Sequence, residues 1–99
     1  MITYQEALKI GEEYLKPYLE SFDPVIQRDA TIEKSYGWIF FYQSRRFVES
    51  GDFSFFLSGN APFLVDKNGD IHKTGSGRFP ISYYIEKFDA EFGESPSSP

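Results

Sequence analysis

Residues 66–74 read Asp-Lys-Asn-Gly-Asp-Ile-His-Lys-Thr, placing two carboxylates, an amide, the only imidazole of the chain and a hydroxyl within nine positions. A calcium loop of the EF-hand kind needs ligands at alternate positions, glycine at position six and an acid at position twelve. Counted from Asp66, the glycine falls at position four and position twelve is Gly77, so the metal reading fails on spacing. Read as acid–base chemistry, Asp70, His72 and Thr74 fall on one face of a strand, with Asp70 placed to orient His72. Neighbours side by side on one strand form no nucleophile elbow and no oxyanion hole. His72 therefore reads as a surface histidine at a hairpin edge. Gly75-Ser76-Gly77 lacks the Gly-Lys-Ser/Thr ending of a phosphate loop. With no cysteine in the chain, disulfides, thiolate zinc sites and thiol nucleophiles are excluded. Fifteen acids leave room for a carboxylate pair, but a small sheet with two helices offers little depth for a water-excluding pocket. No catalytic residue, metal site or cofactor is expected.

The elements that hold these residues follow from periodicity. Asn68-Gly69 between two apolar runs is a hairpin signal, because both residues tolerate the positive φ of a type I′ turn. Strands are thus expected over residues 61–66 and 70–74. Upstream, Thr3-Tyr4-Gln5-Glu6 is a capping box, followed at helical spacing by Tyr4, Ala7, Leu8, Gly11, Tyr14, Leu15 and Tyr18. Pro17 should end or kink that helix near Lys16. Its acids are expected to pair internally, Glu6 with Lys9 and Glu12 with Lys16. From Val25 to Lys34 the period changes to two, predicting one strand with Ile26, Ala30 and Ile32 on its dry face. A turn at residues 34–37 leads to residues 38–42, Trp-Ile-Phe-Phe-Tyr, which are apolar on both faces and predict a central strand covered twice. Trp38 is expected to be buried against a helix. A last helix begins near Pro80, buries Ile81, Tyr84, Ile85, Phe88 and Phe92, and stops at Gly93.

These elements predict an α+β fold: a small antiparallel sheet of about four strands in two hairpins, packed by an N-terminal and a C-terminal helix in the order α-β-β-β-β-α. The 99 residues suffice for one domain, expected over residues 1–93, with 94–99 as a flexible tail. Between the hairpins, residues 45–58 carry five large apolar side chains without a sustained period. If both helices pack on one side of the sheet, this segment either folds over the other side or leaves an aromatic surface open. Cover is the expectation, since monomers seldom leave large apolar patches bare.

The net charge of −5 is carried by the ends. Residues 1–24 contribute −3, residues 25–79 contribute +1 and residues 80–99 contribute −3. Nucleic-acid binding would need a basic stripe, which is missing. The amphipathic pattern begins at once and no apolar run approaches the ~20 residues of a membrane span. A soluble, cytoplasmic protein is the expectation, with no membrane and no nucleic acid among its partners.

Over almost its whole length the chain resembles the YrhB-type domain, also grouped as the immunity protein 35 family. The matching pieces are Met1-Ile2-Thr3-Tyr4, Gly37-Trp38, Glu49-Ser50-Gly51-Asp52, Gly59-Asn60-Ala61-Pro62-Phe63, Val65-Asp66-Lys67 and Ile71-His72. The Gly-Asn-Ala-Pro-Phe run is the most specific. Ser50 stands where threonine is usual, and the stretch before Gly37 is longer. The resemblance implies a small bacterial protein that neutralises a cognate toxin by binding it, without catalysis; the alternative is a chaperone-like binder of partly folded clients, and a small enzyme is a third class. Beside the toxin, a weak homodimer is the most that is implied. Among motif residues, Trp38, Gly59, Asn60, Pro62, Asp66 and Gly69 read as determinants of the fold: Gly59 and Pro62 as backbone punctuation, Asn60 as a cap for local amides, Asp66 as a turn starter. A toxin that acts on nucleic acid would be basic, and the complementary acids would be those lacking internal partners. On the last helix Glu86, Asp89, Glu91 and Glu94 face a single Lys87 and are the expected partner-binding residues.

Overall fold

A computed structural model describes residues 1–57, 61–74 and 79–93. The N-terminal helix α1 spans Tyr4–Leu15 and starts at the predicted capping box: the Thr3 side chain accepts from the Glu6 amide, and Glu6 accepts from the Thr3 amide. Its buried face is Ala7, Leu8, Gly11 and Leu15. Pro17 falls in a 3-10 turn, Lys16–Tyr18, after which α2 (Leu19–Phe22) ends at Asp23 with φ 46°. The expected ion pairs within α1 are replaced. Glu6 is committed to its cap, and Lys16 reaches Glu13 at 3.0 Å while Glu12 lies 3.8 Å from Arg28. The tighter 3-10 winding brings side chains three apart into line, which favours Glu13 over Glu12 as the partner of Lys16.

The strand expected over 25–34 is two strands, and this is the main correction to the predicted order. Strand β1 (Pro24–Ile26) and strand β2 (Ile32–Lys34) are separated by a 3-10 turn, Arg28–Ala30. In one continuous strand Ile26 and Ile32, six apart, would share a face. The turn sends Ile26 to the cluster under α1 and Ile32 to the cluster on the other side. The central strand predicted over 38–42 is strand β3 (Gly37–Phe40); it breaks at Phe41, and Tyr42 begins a further strand, β4 (Tyr42–Ser44), that was not predicted. After β5 (Phe63–Asp66) and β6 (Ile71–Lys73), the C-terminal helix α4 occupies Ile81–Phe92; α3 (Arg45–Ser50) lies in the segment between the hairpins. The fold is α+β as expected, but the described residues form six short strands: a four-stranded antiparallel sheet, β2-β3-β5-β6, and a two-stranded extension, β1-β4.

Strands β3 and β5 sit at the centre and are buried on both faces, with Trp38 opposite Val65 and Ile39 opposite Leu64. Trp38, Phe40, Phe63 and Val65 pack under α1, whereas Ile39 and Leu64 pack under Tyr84 and Phe88 of α4. The two helices therefore cover opposite faces of the sheet. That is the double cover predicted for the central strand, and it removes the premise that one face needed the 45–58 segment. Gly37 is required where β3 meets β5: a Cβ there would lie 2.3 Å from the Val65 carbonyl oxygen. Helix α4 follows Pro80 and ends at Gly93, whose amide donates to the Asp89 carbonyl. Ile81, expected on its buried stripe, is exposed.

The β5–β6 hairpin forms as predicted, with a different turn. Only Gly69 in the loop takes positive φ, at 90°. The Gly69 amide donates to the Asp66 carbonyl, and Asp66 Oδ1 accepts from the amides of Asn68 (2.9 Å) and Asp70 (3.0 Å). This is a three-residue loop, a type I turn closed by a glycine bulge. The two amides gathered by the Asp66 carboxylate favour it over type I′.

Candidate binding surface

The segment after β4 starts from two buried polar residues, Gln43 and Ser44. Ser44 caps α3 by accepting from the Phe47 amide, and its hydroxyl donates to the Phe55 carbonyl. Gln43 Oε1 accepts from the Leu57 amide at 2.7 Å and from the Ser44 amide at 3.0 Å, while Nε2 donates to the Leu57 carbonyl at 3.3 Å. Gly51, at φ 71°, ends α3. Asp52 then caps a 3-10 turn, Phe53–Phe55, through the Ser54 amide and hydroxyl. These two hydrogen bonds, amide first, hold the Asp52 carboxyl below the usual carboxylate range.

Backbone bonding thus spends the polar groups inward and turns the rings outward. Phe47 meets Phe53 and Phe56 edge-on at 5.3 and 5.0 Å, and the Arg46 guanidinium lies over Phe55 at 5.3 Å. Phe53 is 76 % exposed, Phe56 45 % and Val48 49 %. The expectation that this segment covers the open side of the central sheet is overturned, since both faces of β3 and β5 are filled by α1 and α4. The segment packs instead on the end of β4, over Gln43 and Ser44, and otherwise folds on itself as an aromatic lobe. Beside it runs a groove of about 530 Å³, walled by Leu19 and Phe22 of α2 and by Phe55, Phe56 and Leu57, with Glu20 and Asp23 also lining it. Gln43, Ser44 and Leu19 were not singled out from the sequence; a serine immediately before α3 was the available cue.

The acids of α4 divide. Glu86 and Glu91 are exposed. Asp89, expected to lack an internal partner, has two: Tyr36 donates its hydroxyl at 2.6 Å, and Lys34 Nζ lies at 3.3 Å. Burial, then the bond to Asp89, drives the Tyr36 hydroxyl far above its ordinary range. Asp89 therefore fastens α4 to the β2–β3 hairpin. Glu94 lies outside the described residues, as do Gly59, Asn60 and the expected tail.

His72 is not oriented by Asp70. Its Nε2 lies 2.7 Å from Asp66 Oδ2, and its ring packs on Phe92 at 4.4 Å. Register explains the choice: His72 pairs with Leu64, whose face is the one under α4, and Asp66 is two residues further along that face. Burial works against the Asp66 carboxylate, but the bond to His72 and the amides of Asp70 and Asn68 outweigh it, and its pKa is lowered. The Thr74 hydroxyl donates to the Pro62 carbonyl at 3.1 Å, so hydroxyl, imidazole and carboxylate do not assemble into one set. Pro62 and Trp38 are buried, with Lys67 Nζ 4.2 Å above the Trp38 ring.

The chain is 35 % identical over 97 residues to the uncharacterized protein YrhB of Escherichia coli (strain K12), covering 94 % of this chain and 98 % of that one. No solved structure matches it. Residues 5–90 match the immunity protein 35 family, and the chain belongs to that family.

Proposed function

We infer that this protein is a non-catalytic immunity protein of the cytoplasm that binds a cognate toxin protein and neutralises it by occupying its surface. The family supports a toxin as partner. The observation that carries the reading is the aromatic lobe at residues 47–56: rings exposed in a cluster on a backbone fastened by buried Gln43 and Ser44. Interfaces draw their energy from a few aromatic and arginine anchors, and a backbone already ordered loses little entropy on binding. One fixed shape suits one partner better than the many clients of a chaperone-like binder. Among the described residues no helix is long and apolar enough to cross a membrane. The exposed Glu86 and Glu91, with Glu94, would raise the encounter rate with a basic toxin. Asp89 would contribute less, because its charge is balanced by Lys34.

The test is isothermal titration of this protein with the purified product of the toxin gene beside its own, with a growth assay for rescue. Saturable one-to-one binding that restores growth is expected, and weakened binding in Phe53→Ser, a variant of the most exposed ring. A toxin that neither binds nor is neutralised would overturn the reading.

A further inference from the structure

We propose that the outer edge of β6, with the notch between it and α1, is the contact through which this chain pairs weakly with a second copy of itself.

The backbone of β6 sets the geometry. The Asp66 amide donates to the Asp70 carbonyl at 2.9 Å, and opposite residues of an antiparallel pair alternate between bonded and unbonded. His72, opposite Leu64, therefore turns its N–H and C=O toward β5, whereas Ile71 and Lys73, opposite Val65 and Phe63, turn theirs outward. Strand β6 is the last of its sheet, and no described residue bonds those outward groups. Such an edge is a template for another strand. A second β6 laid antiparallel about a two-fold axis at His72 sets Ile71 of each copy opposite Lys73 of the other. Every outward N–H of one copy then meets an outward C=O of the other.

The same axis suits α1. Ile10 Cδ1 lies 3.4 Å from the place a Cβ on Gly69 would take, and Lys73 Nζ lies 5.7 Å from the centre of the Tyr14 ring. The stretch of α1 between Ile10 and Tyr14 is thus level with His72. Lys9 and Glu13, one turn apart and both exposed, flank that level, so reversal about the axis faces Lys9 of each copy with Glu13 of the other. Lys9 has no partner among the described residues, while Glu13 meets Lys16 through Oε1 alone. Between helix and strand lies a notch of about 630 Å³, walled by Ile2, Ile10, Tyr14 and Ile71, each only half-buried. The aliphatic stem of Lys73 from the second copy would cover that apolar wall. Charge also singles out a like chain. Glu6, Lys9, Glu13 and Lys73 cancel on a molecule of net charge −5, so self-encounter is least opposed on this face, and a strongly basic partner gains nothing from it. The contact is small, in the class of weak, transient interfaces. It shares no residue with the aromatic lobe, so a dimer keeps both lobes open, and the pairing stands or falls independently of the toxin reading.

Sedimentation equilibrium and a ¹⁵N-¹H dilution series between about 10 µM and about 1 mM test the contact, the range of affinities open to so small an interface. A monomer–dimer equilibrium is expected, with amides of residues 9–14 and 71–73 shifting with concentration and those of 47–56 unmoved. Lys73→Pro removes one outward donor, leaves the bonds to β5 intact and should keep the protein monomeric. Lys9→Glu sets like charges across the axis and should weaken the dimer about tenfold, and adding Glu13→Lys to it should restore the parent's affinity. Should Lys73→Pro not fold, the Lys9→Glu loss and its reversal decide alone. A protein that stays monomeric up to about 1 mM, concentration-dependent shifts centred elsewhere, or parental association in Lys9→Glu would overturn the proposal.

Discussion

Replacing Gln43 with methionine keeps the volume of the side chain and deletes its polar end. In the structure that amide serves three backbone groups: the Leu57 amide, the Leu57 carbonyl and the Ser44 amide. A buried polar group left without a partner costs about 1–3 kcal/mol. The Ser44 contact is fully buried, whereas the two to Leu57 are partly buried and can be recovered in part by water. One full cost and two reduced ones give ~2–3 kcal/mol, a large share of the 5–15 kcal/mol typical of a domain. Urea unfolding followed by circular dichroism should show the midpoint falling by about 1–2 M with little change in slope. Hydrogen exchange should accelerate at Leu57 before it does in β3 or β5, because the lobe opens as a local unit. Gln43→Glu, which keeps an acceptor for both amides but loses the donor and buries a charge, should be no better than methionine. A methionine variant with an unmoved midpoint and unchanged exchange at Leu57 would show that the lobe is not held by Gln43, and would remove the argument that its rings are presented on a fixed backbone.

Two further outcomes follow from the core and the hairpin. Trp38→Ala should cost about 3–5 kcal/mol, since the side chain is only 3 % exposed between α1 and the sheet and the cavity cannot be filled by its neighbours; a melting temperature within a few degrees of the parent would contradict its place in the core. The hydrogen bonds to His72 and to the Asp70 and Asn68 amides outweigh burial and hold the Asp66 carboxyl below the ordinary carboxylate range in the folded protein, so its stabilisation is present above the unfolded value and is lost as pH falls through 4 and below. Stability measured in urea should therefore drop from pH 6 to pH 3, and Asp66→Asn, which still accepts from the loop amides but does not titrate, should flatten that slope; an equal slope in both proteins would assign the pH dependence to other carboxyls.

What could be read before the structure was local. The capping box at Thr3, the interruption at Pro17, the doubly covered run from Trp38 and the hairpin at Asn68-Gly69 each depend on residues within a few positions of one another, where spacing and φ preference decide the outcome. Even there the turn type escaped, because it was settled by the Asp66 side chain gathering the amides of Asn68 and Asp70 rather than by the Asn-Gly pair alone. Burial of Trp38 was legible from composition; its neighbours were not.

The remainder depended on which face each element met. Periodicity told that α1 and α4 each had an apolar stripe and that β3 needed two covers, but a stripe carries no address. Opposite placement of the helices left no open face of β3 and β5 for residues 45–57 to shield, and so turned an expected cover into an aromatic lobe that packs only on the end of β4. The same placement set Asp89 of α4 over Tyr36 and Lys34, 53 and 55 residues earlier, removing one of the four expected partner-binding acids from the free set. It also put His72 beside Asp66 and under Phe92. The sequence by itself determined the two long helices, the hairpin at Asn68-Gly69 and the family, because those are written in short-range preferences and residue identity; the breaks that divide residues 25–34 and 37–44 into short strands were not legible there. Only the tertiary structure decided which polar and aromatic groups remain free to meet a partner, because being free is a relation between segments distant in the chain, and no spacing within one segment encodes it.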